Sequence, residues 1–138
     1  MSRASVGALM DVSQSLAELT ELSSQVERAV VLDGEGSVLG STVGDSGAAE
    51  ALAQAARDLL AGAAELGPSA DEVTRVEIEL AEGAVFVLRE GSRTIAATTG
   101  PRPTSGLVAY DLRTCLQALD ESTDKRRTAH KPKEDTGE

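Results

Sequence analysis

The longest periodic stretch of the chain is an alanine- and leucine-rich run, Ala48–Leu66. Good helix formers fill this run, so it predicts one helix of about five turns. Asp45 or Ser46, just before it, provides a side chain of the kind that caps a helix N-terminus. Gly67 is suited to a left-handed C-terminal cap, and Pro68 cannot continue the helix. The pattern therefore predicts a central helix with both ends marked.

Successive helical residues are about 100° apart, and this spacing sorts the central helix into three faces. A wide apolar face, suited to covering a sheet, contains Leu52, Ala56, Leu59, Leu60 and Ala63. A polar face contains Glu50, Gln54, Arg57 and Glu65. The third face, small except for one aspartate, contains Ala48, Ala51, Ala55, Asp58 and Gly62. Two interpretations of this small strip stay open: alanine serves as the best helix former, or the strip meets a second helix from another copy or a partner.

Two further helices are predicted, one on each side of the central part of the chain. The first covers about Ser5–Ser23, and Thr104 or Ser105 can cap the second, Gly106–Leu119. Apolar residues recur at helical spacing in the first at Leu9, Val12, Leu16 and Leu19. They line one side of the second at Val108, Leu112, Cys115, Leu116 and Leu119. Each helix is therefore expected to pack through one face.

Five segments carry strand patterns, separated by turn residues: Val26–Asp33, Ser37–Val43, Thr74–Leu80, Ala84–Leu88 and Thr94–Thr99. The first two flank Asp33-Gly34-Glu35-Gly36 and predict a hairpin, and the last three predict a meander. The third alternates strictly, which indicates one wet face, whereas the fourth is continuously apolar and indicates cover on both faces. The order α-β-β-α-β-β-β-α predicts an α+β fold, with helices covering a five-stranded antiparallel sheet.

Charge is distributed unevenly along the 138 residues, whose formal net charge is −10. Residues 121–138 contain five acidic and five basic residues, so the whole net charge belongs to residues 1–120. We expect one domain over 1–120 and a disordered, charged tail over 121–138. An acidic domain with Phe86 and Tyr110 as its aromatic residues repels phosphate backbones and lacks a stacking platform, so nucleic acid is excluded as a partner.

The sequence contains no apolar run of about 18 residues and a single cysteine. Both observations favour a cytoplasmic protein without membrane insertion or a disulfide framework. Cys115 falls on an apolar helix face and is expected to be a small buried side chain rather than a reactive thiol.

Few residues are available for catalysis. The single histidine, His130, lies in the tail and can serve neither a triad nor, with one cysteine, a zinc site. Glu77 and Glu79 are two residues apart on the wet face of a strand, where solvation explains them. The glycines of residues 34–40 precede a strand rather than a helix, so a hairpin turn is preferred over a dinucleotide loop. The sequence predicts a non-enzyme without metal or cofactor.

Four segments together resemble the roadblock/dynein-light-chain-type domains of bacteria, in particular the small roadblock proteins encoded beside Ras-like GTPases in actinobacterial operons. The resemblance covers about Leu9–Leu119, and its most distinctive piece is Gly106–Asp111. The segments are VERAVVLDGEGSVLGST, the alanine/leucine helix, VTRVEIELAEGAVFVLREGSRTIAATTG and GLVAYDLRTCLQAL. The resemblance implies a roadblock/profilin-like fold.

The resemblance also implies a homodimer, or a heterodimer with a paralogous roadblock protein. Third strands would pair antiparallel and central helices would lie side by side, which favours the helix-contact interpretation of the small strip. The strand involved here is Val73–Leu80, which would otherwise be an exposed edge. The implied dimer interface consists of Ala51, Ala55, Asp58, Gly62, Thr74, Val76 and Ile78.

The family implies a regulator of a Ras-like small GTPase that contributes no catalytic arginine. The surface implied to face the GTPase contains Glu50, Gln54, Arg57 and Asp58. Arg57 could act as an arginine finger, but a surface salt bridge is the preferred interpretation. One alternative is a scaffold that joins a sensor kinase or a membrane-associated complex without affecting nucleotide turnover. Another is a ligand-sensing module, for which the small fifth strand leaves room but no convergent polar groups are evident.

Overall fold

The computed structural model describes residues 11–67 and 73–119. In this part of the chain the secondary structure elements follow the predicted order. They are α1 (Val12–Leu22), β1 (Val26–Leu32), β2 (Val38–Ser41), α2 (Ser46–Ala64), β3 (Arg75–Leu80), β4 (Gly83–Glu90), β5 (Arg93–Thr99) and α3 (Ser105–Gln117). The α+β class and the five-stranded antiparallel sheet are confirmed.

The strands are ordered β2-β1-β5-β4-β3 across the sheet. Strand β5 lies between β1 and β4 and joins the two halves of the sheet. Both of its pairings are antiparallel. Val30 is opposite Ala96 in the first pairing, and Phe86 is opposite Ala97 in the second. Strands β2 and β3 are consequently the two edges, a result of long-range pairing that local patterns do not reveal.

The helices cover the sheet from both sides. On one face α1 and α3 pack over a cluster that includes Leu16, Phe86 and Leu112, all buried. On the other face α2 packs over Val30, Val87 and neighbouring residues. The fully covered central strands explain why Ala84–Leu88 is continuously apolar, as predicted.

Two glycines are required where elements approach closely. A Cβ at Gly40 in β2 would lie 2.5 Å from Cγ1 of Val12, so α1 packs directly on the strand backbone. A Cβ at Gly83 would collide with the carbonyl oxygen of Thr99. Both positions therefore exclude any side chain for steric reasons.

Two predicted helix ends differ from the structure. Asp11 has an extended backbone and its Oδ1 accepts a hydrogen bond from the amide of Gln14 at 2.8 Å, so α1 begins at Val12 and the predicted helix does not run through Asp11; its first residues, from Ser5, lie outside the described ranges. The predicted left-handed cap at Gly67 is also absent, because α2 ends at Ala64 and the next residue, Glu65, is right-handed helical. Local turn hydrogen bonds satisfy the last carbonyls instead.

The central helix is rotated relative to the predicted apolar face. Its buried residues are Ala49, Ala53 and Ala56. Leu52 and Leu59 are only partly buried, although the pattern predicts them on the face that covers the sheet. Alanine is preferred against the sheet because it lets the helix approach closely, and the leucines then fill the flanks.

Several sequence predictions concern residues outside the described ranges. They include Leu9, the loop that begins at Pro68, His130 and the disorder of residues 121–138. The boundary at residue 120 stays a prediction, as does the character of the tail.

Candidate protein-interaction surface

The outer edge of β3 is a prominent exposed backbone edge among the described residues. Strand β3 pairs with β4 on one side and ends the sheet on the other. Along the strand, Val76 and Ile78 are half-buried and Leu80 is 53% exposed. A strand covered from one side by α2 should bury these residues completely, so their exposure marks an incomplete apolar surface.

The small strip of α2 is open in the single chain. Ala51, Asp58 and Gly62 are exposed, whereas Ala55 is half-buried. A Cβ at Gly62 would meet nothing within 4 Å outside its own helix. The strip therefore offers a shallow surface along which a second helix backbone can approach.

The strip and the β3 edge lie on the same side of the molecule. Arg57, on the opposite flank of α2, reaches towards the β1–β2 turn, where its Nε donates to the carbonyl oxygen of Gly36 at 2.9 Å. Because β1 and β2 lie at the other end of the sheet, the flank carrying Ala55 and Leu59 is turned towards β4 and β3. The predicted dimer residues of α2 therefore lie on the side of the helix that faces β3, and Thr74 is exposed just before that strand.

Four polar residues of α2 form a connected network. Nη1 of Arg57 donates to Glu50 at 2.9 Å and to Gln54 at 2.7 Å, and Nε2 of Gln54 donates to Asp58 at 3.0 Å. These are the residues predicted to face a GTPase. The expected surface salt bridge of Arg57 is present, and together with the bond to Gly36 it ties α2 to the β1–β2 turn.

The contact between Arg57 and Gly36 could not be found from the sequence, because the partners are 21 residues apart and one is a backbone carbonyl. The contact between Glu77 and Ser105 could not be found from the sequence either, because these residues are 28 positions apart. The strand pattern predicts a merely solvated carboxylate, yet that of Glu77 accepts hydrogen bonds from Ser105 and from Arg75 and so connects β3 to the start of α3. Glu79, its neighbour on the same strand face, is exposed.

Cys115 lies between α1 and α3 and is 5% exposed, as predicted. Ser15 donates a hydrogen bond from Oγ to the carbonyl oxygen of Cys115 at 2.8 Å. Burial raises the pKa of the thiol, and the hydrogen bond with Ser15 opposes this only in part. The thiol is therefore protonated at neutral pH and is a poor nucleophile.

Within residues 11–67 and 73–119, no three or more His, Cys, Asp or Glu side chains are grouped so that they could hold a metal ion. In the same part of the chain, no helix has the length and apolar character needed to cross a bilayer.

Comparison with known proteins identifies a family that shares this arrangement of elements. The sequence model of the Roadblock/LC7 domain matches residues 13–99, which is more than half of the chain. The chain belongs to the Roadblock/LC7 family. No curated protein matches it significantly. The Roadblock/LC7 match extends from α1 to the end of β5, so it includes both the central helix and the β3 edge.

Solved Roadblock/LC7 structures have the same fold. A Roadblock/LC7 domain from Streptomyces avermitilis superposes with a TM-score of 0.69 at 20% identity, covering 78% of this chain and 93% of that one. A second domain from that organism gives 0.65 at 23% identity, with 80% and 99% covered. MglB from Myxococcus xanthus gives 0.62 at 16% identity, with 83% and 95% covered. At these identities the likeness establishes the fold.

Proposed function

We propose that this Roadblock/LC7 protein is a non-catalytic, dimeric regulator of a Ras-like small GTPase. The observation that carries the proposal is the unpaired β3 edge, with its half-buried Val76 and Ile78, beside the open small strip of α2. A lone chain leaves both surfaces incomplete, and a second copy would complete both at once.

A two-fold axis beside β3 gives the simplest dimer. The β3 strands of two copies would pair antiparallel, and the two five-stranded sheets would become one continuous sheet. The same axis would place the two α2 helices side by side, in contact through Ala51, Ala55 and Gly62. Small residues allow that approach, and Leu80 and Leu66, which are 53% and 90% exposed, would gain cover near the seam.

The GTPase is proposed to bind the outer surface of the paired helices. Glu50, Gln54 and Asp58 are exposed there and form part of the network around Arg57. Family membership supports a GTPase as the partner, because the resemblance implies regulators of that class. Polar side chains held in a hydrogen-bonded network suit protein recognition, since less conformational entropy is lost when they bind.

Arg57 is proposed to position rather than to catalyse. Its guanidinium is held by Gly36, Glu50 and Gln54, and an arginine that inserts into a GTPase site must leave such contacts. Inserted arginines raise GTP hydrolysis about 10³–10⁵-fold. We expect a smaller stimulation, about tenfold or more, through the conformation of the GTPase, and we expect Arg57→Gln to retain most of it.

The test uses Ala55→Arg and, as its matched control, Ala17→Arg. Ala17 is exposed on α1, which packs on the opposite face of the sheet from α2. Light scattering should give a dimer for the wild type and for Ala17→Arg, and a monomer for Ala55→Arg. GTP hydrolysis by a Ras-like GTPase from the same genome should be stimulated by the two dimers alone. A monomeric variant with full stimulation would falsify the dimer-based mechanism.

The same experiment separates the alternative function, a scaffold without effect on nucleotide turnover. A dimer that binds the GTPase equally in its GDP and GTP-analogue states, and leaves hydrolysis unchanged, would favour the scaffold.

A further inference from the structure

A shallow groove runs between α1 and α3, on the face of the sheet opposite α2. Ser15, Leu19 and Leu22 line its α1 wall, and Cys115 and Ala118 line its α3 wall. The groove is mainly apolar and its volume is about 70 Å³, whereas sites for small molecules begin at about 300 Å³. A small molecule would therefore stay largely outside it, and an elongated partner surface fits better.

The groove lies away from the proposed dimer seam. Helix α1 packs over β1 and β2, and α3 packs over β4 and β5, so the groove between them lies over the middle of the sheet. A hydrogen bond from Ser105 to Glu77 ties the start of α3 to β3. Helix α3 therefore separates the groove from the β3 edge, and α2, with its proposed GTPase surface, lies on the other face.

The two helices that form the groove are antiparallel and are joined at two levels. Oγ of Ser15 donates to the carbonyl oxygen of Cys115 at 2.8 Å. Beyond the end of α1, Oε1 of Gln25 accepts the amide hydrogen of Thr104, the N-cap of α3, at 2.7 Å. The groove is therefore formed before any partner arrives, and little entropy is lost in ordering it.

Two exposed leucines stand where α1 ends and α3 begins. Leu22 is 73% exposed and Leu107 is 50% exposed. Leu22 lines the groove, and Leu107 lies one helical turn before Asp111, a lining residue, on the same side of α3. Exposed apolar side chains that continue an apolar groove are typical of a protein-interaction surface, unlike leucines scattered singly over a surface.

The groove is flanked by acidic side chains that have no partner among the described residues. Glu18 of α1 and Asp111 of α3 line opposite walls, and neither carboxylate is in an ion pair within residues 11–67 and 73–119. Helix α1 contains no basic residue, and the one base of α3, Arg113, is held by Glu90 at 3.4 Å. A partner that covers the groove must bring positive charge, because covering unpaired carboxylates costs free energy.

We propose that the α1/α3 groove binds a basic amphipathic helix of a partner protein. Apolar side chains of that helix would pack between Leu22 and Leu107, and lysines or arginines on its flanks would pair with Glu18 and Asp111. A helix laid along two antiparallel helices buries one apolar stripe and leaves its charged flanks at the rim. Because the proposed GTPase surface is on the opposite face, the two partners would not compete, and the protein would connect them.

Other occupants match the groove less well. Residues 121–138 carry bases, but apart from Ala129 and Pro132 they contain no apolar side chain that could cover the leucines. A second copy of a chain with a net charge of −10 would bring acids rather than bases to Glu18 and Asp111. Charge and apolar surface together therefore favour a different, basic partner.

The test uses two fluorescent peptides of identical composition, built from leucine, lysine and alanine. Each has about 16 residues, enough to form a helix. In the first peptide the leucines recur at i, i+3, i+4 and i+7 and form one apolar face, and in the second the same residues are scrambled. Anisotropy measured with the full chain should show saturable binding of one amphipathic peptide per chain. The scrambled peptide should bind about tenfold more weakly, or less.

Matched variants locate the binding site. Asp111→Lys should weaken binding of the amphipathic peptide about tenfold or more, because it repels the lysines, and Leu107→Gln should do the same by removing an anchor. Glu35→Lys is the control, with the same change of charge as Asp111→Lys. Glu35 is exposed in the β1–β2 turn, which contacts α2 through Gly36 and Arg57. The control should change the affinity by less than about twofold.

Melting curves identify any variant that fails to fold, and Glu18→Lys then replaces Asp111→Lys. Equal binding of the two peptides, or equal affinities in all folded variants, would overturn the proposal. So would binding that appears only after residues 1–10 or residues 121–138 are removed, because the chain would then be its own occupant.

Discussion

Phe86 is the largest of the fully buried side chains and lies where the sheet meets α1 and α3, with 0% exposure. It is the one phenylalanine in a chain with 1% aromatic residues, so most of the surrounding core is built from alanine, valine and leucine. Small aliphatic residues cannot fill the volume of an aromatic ring. Its removal should therefore leave a cavity that the neighbours fill only in part.

We expect Phe86→Ala to lower the free energy of unfolding by about 3–5 kcal/mol, the usual range for removing a buried aromatic side chain. Tyr110→Ala is the control, because Tyr110 is 63% exposed and its loss should change stability by less than about 0.5 kcal/mol. Denaturant midpoints of the two variants measure the difference. Equal midpoints would contradict the placement of Phe86.

The thiol of Cys115 should react much more slowly in the native protein than in denaturant. The side chain is buried, and burial raises its pKa above the ordinary value of 9.0, so less thiolate is present at any given pH. The folded state then holds a proton that the unfolded state releases, and stability should fall as pH rises from about 9 towards the raised pKa. The free energy of unfolding should be measured at pH 8 and at pH 10 for the wild type and for Cys115→Ala. This additional decrease between the two pH values should appear only in the wild type. Rapid labelling of the native thiol at pH 8 would argue against burial.

At the scale of elements, the helix starts differ in how they are capped. Oδ1 of Asp45 accepts the amide hydrogen of Gly47 at 2.9 Å at the start of α2. Thr104, the N-cap of α3, makes no side-chain capping bond, and the neighbouring Ser105 binds Glu77 instead. The sequence alone does not distinguish Asp45 from Ser46, or Thr104 from Ser105, because all four are residue types that cap helices.

Asp45→Ala should therefore lower the free energy of unfolding by about 1 kcal/mol, the typical value for losing an N-cap. Thr104→Ala should have a clearly smaller effect, since no capping hydrogen bond is lost. Thermal melts of both variants and the wild type test this. A larger loss for Thr104→Ala would indicate that the two caps have been assigned the wrong way round.

At the scale of the whole molecule, the two sheet edges are unequal. Strand β2 has four residues, is half-buried throughout, and carries the glycine on which α1 packs. Strand β3 has six residues, and four of these are exposed. A short, covered edge resists pairing with another chain, whereas a longer and more open edge favours it.

This inequality predicts that amide hydrogen exchange in β3 slows as protein concentration rises, while exchange in β2 does not change. Pairing of β3 between two copies protects amides that face solvent in a single chain, and dimerisation follows mass action. Exchange measured over a hundredfold concentration range, with Ala55→Arg as the monomeric reference, provides the readout. If exchange in β2 slowed with concentration instead, the two copies would pair through β2, and the proposed β3 dimer would be wrong.

Much of the fold could be predicted from single segments. The strict alternation of Thr74–Leu80 and the continuous apolar run of Ala84–Leu88 identified β3 and β4, because the period of side-chain direction is a local property of a strand. The rotation of α2 was predicted less well. Its leucines dominated the hydrophobic pattern, yet Ala49 and Ala53 contact the sheet, because the distance between helix and sheet selects small residues there.

The order of elements, the turns between them and the family follow from the sequence alone, since these depend on local propensity and on residues close together in the chain. The tertiary structure alone settled that β5 lies between β1 and β4 and that Arg57 is bound to Gly36, and it shows the open β3 edge that the family resemblance implied. It also settled that α1 and α3 lie side by side and form a groove. The physical reason is that each of these features joins residues distant in sequence, and such contacts are selected by the packing of the whole chain.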